Sequence, residues 1–214
     1  MAAPVPEHPV PVLAPTDRLV ALPALKLCDA RTGGAPRLAT AVRVGRRGDA
    51  LCVRFDGRDA GVVATLRERD ASLWQEDVFE VFLAPGDEAP RRYFELEVNP
   101  LGALFDARVE SPELRRASMR VETSWDCPGL TAKVVARDRR WSALLTIPLA
   151  PLCGGAIPPT WRANFYRIDR GTSGNPDEFT AWSPTFAEPP DFHLPERFGL
   201  LRLEGASPSR FRSP

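Results

Sequence analysis

Apolar and polar positions alternate most cleanly between Trp74 and Arg108, a stretch that reads as three consecutive β-strands. The middle strand, Tyr93 to Val98, sets the pattern. Phe94, Leu96 and Val98 point one way, while Tyr93, Glu95, Glu97 and the following Asn99 point the other. Before it, in Val78 to Leu83, Phe79, Val81 and Leu83 form the apolar set, with Glu80 opposite beside Val78 and Phe82. After it, Ala103, Phe105, Ala107 and Val109 are expected to face inward, which turns Asp106 and Arg108 outward. Paired as a meander, the three strands are expected to gather Glu80, Glu95, Glu97, Asp106 and Arg108 on one face, with Trp74 at its edge.

The same period recurs along the chain. Leu38–Val44 and Ala50–Phe55 read as a hairpin around G-R-R-G-D. Further strands are expected at Ser118–Thr123, Leu130–Arg137, Trp141–Ile147, Arg162–Asp169, Phe179–Ser183 and Phe198–Leu203, and L-A-P-L (149–152) fits one helical turn. Short strands spaced by turn signals, with almost no helical periodicity, predict an all-β antiparallel sandwich of about ten strands. Residues 1–20 are expected to form an extended proline-rich arm, 21–205 a single β-sandwich domain, and 206–214 a flexible tail.

Composition removes several functions. The 214 residues carry 28 basic and 28 acidic side chains, so no net field recruits nucleic acid, and the arginines form no basic stripe. No apolar run reaches the length of a membrane span. The first residues lack a positive n-region and are broken by prolines, so a cytoplasmic location is expected, with secretion left open for a chain whose leader has been removed. Cys28, Cys52, Cys127 and Cys153 form no C-x-x-C pair, and Cys52 within a strand reads as a buried free thiol.

The carboxylates and tryptophans carry the candidate chemistry. A row of carboxylates accepts hydrogen bonds from sugar hydroxyls, ligates calcium, or supplies the acid and base of a glycosidase. A solvated face with cross-strand pairs such as Glu97 with Arg108 is the plain alternative. Like charges on adjacent strands repel, and a purely structural sheet has little reason to hold four. Trp125 and Trp141 lie in apolar settings and read as core, and Trp161 as a cap of the sandwich. Trp74 and Trp182 lie at strand–loop junctions among polar neighbours, where a flat ring can stack on the apolar face of a pyranose. His8 lies in the arm. His193 is a single ordered histidine, too few for zinc, and reads as structural. There is no G-x-S-x-G, P-loop or dinucleotide fingerprint.

Five segments together resemble the family 9 carbohydrate-binding modules, the nearest in kind being stand-alone family 9-like bacterial proteins. They are L-W-Q-E-D-V-F-E-V-F-L (73–83), Y-F-E-L-E-V-N-P-L-G (93–102), W-R-A-N-F-Y-R-I-D (161–169), A-W-S-P-T (181–185) and F-H-L-P-E-R-F-G (192–199). The resemblance spans about residues 38–203 and implies a DOMON-like β-sandwich. It implies two tryptophans clamping a sugar, typically at the reducing end of a glucan or xylan chain, over charged and amide side chains of the sheet. Trp74, Glu80, Glu97 and Asn99 match that pattern, and Trp182 is the candidate second tryptophan. The expected function is therefore non-catalytic binding of a mono- or oligosaccharide by Trp74, Glu80, Tyr93, Glu95, Glu97, Asn99, Asp106 and Trp182, with no catalytic residue. The residues require no cofactor; the resemblance adds structural calcium, with no ligand set assigned to it. Three alternatives stand beside this reading. One is a glycosidase using a pair such as Glu80 and Glu97. Another is a haem site between Met119 and His193, as in other DOMON-like domains. The last is an interaction module whose acidic face meets a partner.

Overall fold

The computed structural model describes residues 4–172 and 174–205; the expected tail at 206–214 lies outside them. Among the described residues the chain runs through β1 (Glu7–Val10), β2 (Leu25–Lys26), β3 (Cys28–Asp29), β4 (Thr40–Arg47), β5 (Ala50–Arg58), β6 (Val78–Pro85), β7 (Arg92–Val98), β8 (Leu104–Glu110), β9 (Arg120–Glu122), β10 (Thr131–Arg137), β11 (Arg140–Pro148), a one-turn helix α1 (Ala150–Cys153), β12 (Thr160–Asp169), β13 (Glu178–Ala181) and β14 (Gly199–Leu203). They form two sheets. The larger runs β1–β14–β12–β6–β7–β8–β9, with β13 also pairing β12 and β3; the smaller runs β10–β11–β5–β4–β2. Every strand pairing is antiparallel except β1 on β14. No helix among the described residues is long and apolar enough to cross a membrane.

This is the expected all-β sandwich. The strands beyond the expected ten are short: β2 and β3 have two residues each, too few to show a period. The sandwich also takes in part of the proline-rich segment. β1 pairs with β14 of the larger sheet, Val12 bridges to Arg46 of the smaller one, and Leu13 and Leu19 bury against Cys52.

The inner faces of the two sheets interdigitate. Val42, Val44, Val53 and Phe55 meet Phe79, Val81, Leu96, Val98 and Phe165. Phe79 stacks between Phe55, at 4.7 Å, and Trp141, at 3.6 Å. At the same level Arg167 is buried between Asp59 (Nη2–Oδ2 3.0 Å) and Asp169, and also donates to the Arg58 carbonyl. Gly57 makes room for both: a Cβ there would lie 2.9 Å from the Phe79 ring and 3.1 Å from Arg167 Nη1.

The outer face of the larger sheet is also dry. Phe82, Tyr93, Phe105, Tyr166 and Phe198 form a second core beneath the loops that cross it. That second core corrects one expectation about β8. Across β7 and β8, Glu95 faces Ala107 and Glu97 faces Phe105, while Leu96 faces Asp106 and Phe94 faces Arg108. Directly opposed residues share a face, so Phe105, Ala107 and Val109 lie with the glutamates, and Asp106 and Arg108 lie on the other side. Alternation placed the residues of β8 in two sets but named the wrong set, because both faces of this sheet are covered. Arg108 therefore does not pair with Glu97; it reaches Glu122 (3.6 Å) and lies over the Trp125 ring.

Candidate functional site

The outer face of β6, β7 and β12 is the floor of a cleft. Glu80 stands directly opposite Glu97 across β6 and β7, and Glu95 is opposite Phe82 on the same face. Carboxylate oxygens of all three lie within 4.8 Å of one another. All three side chains are buried, and apart from the Glu95 carboxyl beside it Glu97 has no hydrogen-bond partner among the described residues. A buried, unpartnered carboxylate is costly to keep charged. Burial therefore pushes Glu80 and Glu97 well above the usual carboxylate range, and the neighbouring glutamates push each further. Burial likewise raises Glu95 to about 7, with the Arg116 guanidinium pulling the other way. A protonated carboxyl donates one hydrogen bond and accepts others, so this floor can meet hydroxyl groups in either sense.

Above the floor the walls are aromatic. Trp74 sits in the 3-10 turn Leu73–Gln75 and is 39% exposed. Buried Leu73 anchors that turn, and the Arg170 guanidinium donates to the Trp74 carbonyl. The Trp74 ring meets Phe105 edge-on at 5.2 Å. Phe192 stacks on Tyr166 at 4.1 Å, with Phe179 edge-on to it at 6.1 Å. Trp74, Phe105, Phe179 and Phe192, with Glu80, Glu95, Arg116, Arg170 and His193, line a cleft of ≈ 420 Å³.

His193 was expected to be merely structural, but it lies on the cleft. Its Nδ1 is 2.8 Å from the Tyr93 hydroxyl, which also reaches Met119 Sδ at 3.7 Å. Its Nε2 is 3.9 Å from Glu95 Oε1. Burial, with Arg116 adding to it, lowers His193 to about 4, so the ring is neutral near neutrality. Met119 and His193, weighed as haem ligands, thus share one cleft with the Tyr93 hydroxyl between them. Arg116, Phe192 and His193 belong to no strand period that could have announced them, and Met119 and Phe179 fall in expected strands whose alternation did not mark them as cleft residues.

The structure sorts the eight expected site residues into two groups. Trp74, Glu80 and Glu95 line the cleft, and Glu97 and Tyr93 lie buried on the same face beneath it. The other three are elsewhere. Asn99 caps the β7–β8 turn: its Oδ1 accepts from Leu101 N (3.1 Å) and Ala103 N (2.9 Å), and its Nδ2 donates to the Leu66 carbonyl (2.7 Å). Asp106, on the inner face, accepts from the Arg69 guanidinium and from Cys127 N, which pins the 125–130 turn. Trp182 is 8% exposed and packs in the core between the sheets, 5.5 Å from the Phe165 ring. Its ring occupies the space that Gly199 leaves open, where a Cβ would come within 2.5 Å of it. A clamp of two tryptophans is therefore not what this cleft has. Its aromatic walls are Trp74 with Phe105, and Phe179 with Phe192.

A family model described as carbohydrate-binding family 9 matches residues 33–203. The chain belongs to carbohydrate-binding family 9. Two solved structures share the fold of this family 9 chain. A protein of Bacteroides uniformis, named for a proposed carbohydrate-binding role, superposes with a TM-score of 0.71 at 18% identity, over 93% of this chain and 99% of its own. A family 9 carbohydrate-binding module of Caldicellulosiruptor kristjanssonii, solved with cellotriose, superposes with a TM-score of 0.63 at 14% identity, over 97% and 98%. The module was also solved with glucose. No curated protein matches the chain.

Proposed function

We propose that this family 9 protein binds a mono- or oligosaccharide, without cleaving it, in the cleft between Trp74 and His193. One observation carries the reading: an exposed tryptophan ring stands beside a floor of buried, closely spaced carboxyl groups, on the outer face of a family 9 sandwich. A pyranose needs both an apolar surface for its C–H face and directional partners for its hydroxyls. Trp74 and Phe105 supply the first, and Glu80 and Glu95 the second. The module of C. kristjanssonii was solved with glucose and with cellotriose, which makes glucose-based sugars the first ligands to try. The wider DOMON-like kinship belongs to the same proposal, and the two-sheet sandwich is its support.

Titration calorimetry with glucose, xylose and cellotriose, followed by chromatography of the recovered sugar, tests this. The expected result is saturable heat with at least one sugar, and sugar recovered intact. Absence of heat with every sugar, or cleaved cellotriose, would overturn it.

A further inference from the structure

We propose that the sugar taken by this cleft carries a protonated amino group, and that Glu80, Glu95 and Glu97 receive it. The inference rests on the saccharide reading above and names the class of sugar. Three carboxyl groups have oxygens within 4.8 Å of one another, which is the space of one small cation. Glu97 is fully buried and its oxygens meet only the neighbouring Glu95 carboxyl, with no other partner among the described residues, while Glu80 directly opposes it across the strands. The cations around the cleft are committed to other carboxylates. Arg116 Nε is 3.2 Å from Asp191 Oδ2, and Arg170 Nη1 is 2.6 Å from Asp177 Oδ2, with its other arm on the Trp74 carbonyl. His193, 3.9 Å from Glu95, is neutral and is held by the Tyr93 hydroxyl. Arg170 and Arg116 act on Glu80 and Glu95 from a distance, but among the described residues no arginine or lysine forms a salt bridge with any of the three glutamates.

An ammonium group has three N–H donors and no acceptor, and three ionised carboxylates are acceptors only. A ring hydroxyl leaves the glutamates in their protonated form, whereas an ammonium favours their ionised form. The aromatic lining from Trp74, Phe105, Phe179 and Phe192 favours the same charge, since ring faces attract cations. An arriving ammonium also lets the glutamates ionise, so binding expels protons to solvent. That release separates a cationic sugar from a neutral one.

The test is calorimetry of the full chain with glucosamine, N-acetylglucosamine and glucose at about pH 7, in two buffers that differ in heat of ionisation. Glucosamine is expected to bind at least roughly tenfold more tightly than the other two, as charge-assisted hydrogen bonds require. Its heat is expected to differ between buffers, and Glu97→Gln is expected to abolish the preference. The wild-type comparison stands without the variant. Equal affinity for glucosamine and glucose would overturn this inference and leave saccharide binding intact. Silence with all three sugars would overturn this inference, and silence with xylose and cellotriose as well would overturn both. Calcium binding abolished by Glu97→Gln, with no preference for glucosamine, would assign the cation to a metal and overturn the amino-sugar inference.

Discussion

At the residue scale, identical side-chain chemistry serves different ends according to what surrounds it. Asn99 holds three hydrogen bonds within the β7–β8 turn and has nothing to spare for a ligand. Asn99→Ala leaves two backbone N–H groups and a carbonyl without their partner, one of those N–H groups buried, a loss of about 1–3 kcal/mol. The expected outcome in urea unfolding is a lower midpoint, with sugar affinity of the folded protein unchanged. Trp182 is a second case. Trp182→Ala empties a packed site between the sheets and is expected to cost about 3–5 kcal/mol, again without altering affinity per folded molecule. Weakened sugar binding at full stability in either variant would return that residue to the site. Neither role was legible from the neighbouring residues. A polar residue after a strand and a tryptophan before S-P-T look alike whether they face a ligand or a core.

At the scale of elements, the strands were legible because their period is two and their boundaries carry glycine and proline. β4 with β5, β6 to β8, and β10 to β12 stand where the alternation puts them, within a few residues. Which side of a strand faces the other sheet was not legible for β8. Phe105 and Val109 form an apolar set as regular as any inner face, yet they lie in the second core beneath the loops. Period-two patterns report that two faces differ, and they name the interior only when one face is wet. The cleft-lining loop residues were illegible for a related reason: Phe192 and His193 reach the site through tertiary packing, without a local repeat. Gly57 makes the packing argument testable within one strand. Gly57→Ala drives a methyl against the Phe79 ring and Arg167, and overpacking of this kind costs about 1–3 kcal/mol. A lowered melting temperature is the expected outcome; an unchanged one would mean the two sheets are packed more loosely than described.

For the whole molecule, buried acids make stability depend on pH. Asp77 is raised to about 7, Glu95 to about 7 and Asp169 to about 6, each chiefly by burial, and Glu80 and Glu97 shift in the same direction. The folded state therefore holds protons that the unfolded chain has already released, so this stabilisation is complete below the unfolded values and is lost as pH rises through the folded ones. His193 works oppositely, since its folded value is lowered to about 4, but only below its ordinary 6.5. Above that point the carboxyls still release protons, and the thiols Cys28, Cys52 and Cys127, raised by burial, act in the same direction at higher pH. The melting temperature is expected to fall as pH rises from about 6.5 through about 7, and Glu97→Gln, uncharged at every pH, is expected to flatten the fall. A rise across that window would contradict the account of the floor.

The most direct test of the cleft itself is a paired titration of its tightest-binding sugar into wild type and Trp74→Ala. Trp74 is exposed and touches Phe105 only by its edge, so its removal should leave the melting temperature in place. A stacking aromatic at the centre of a site is worth about 2 kcal/mol, roughly thirtyfold in Kd. The expected result is that loss at unchanged stability. Equal affinity in the two proteins would place the sugar elsewhere and contradict it.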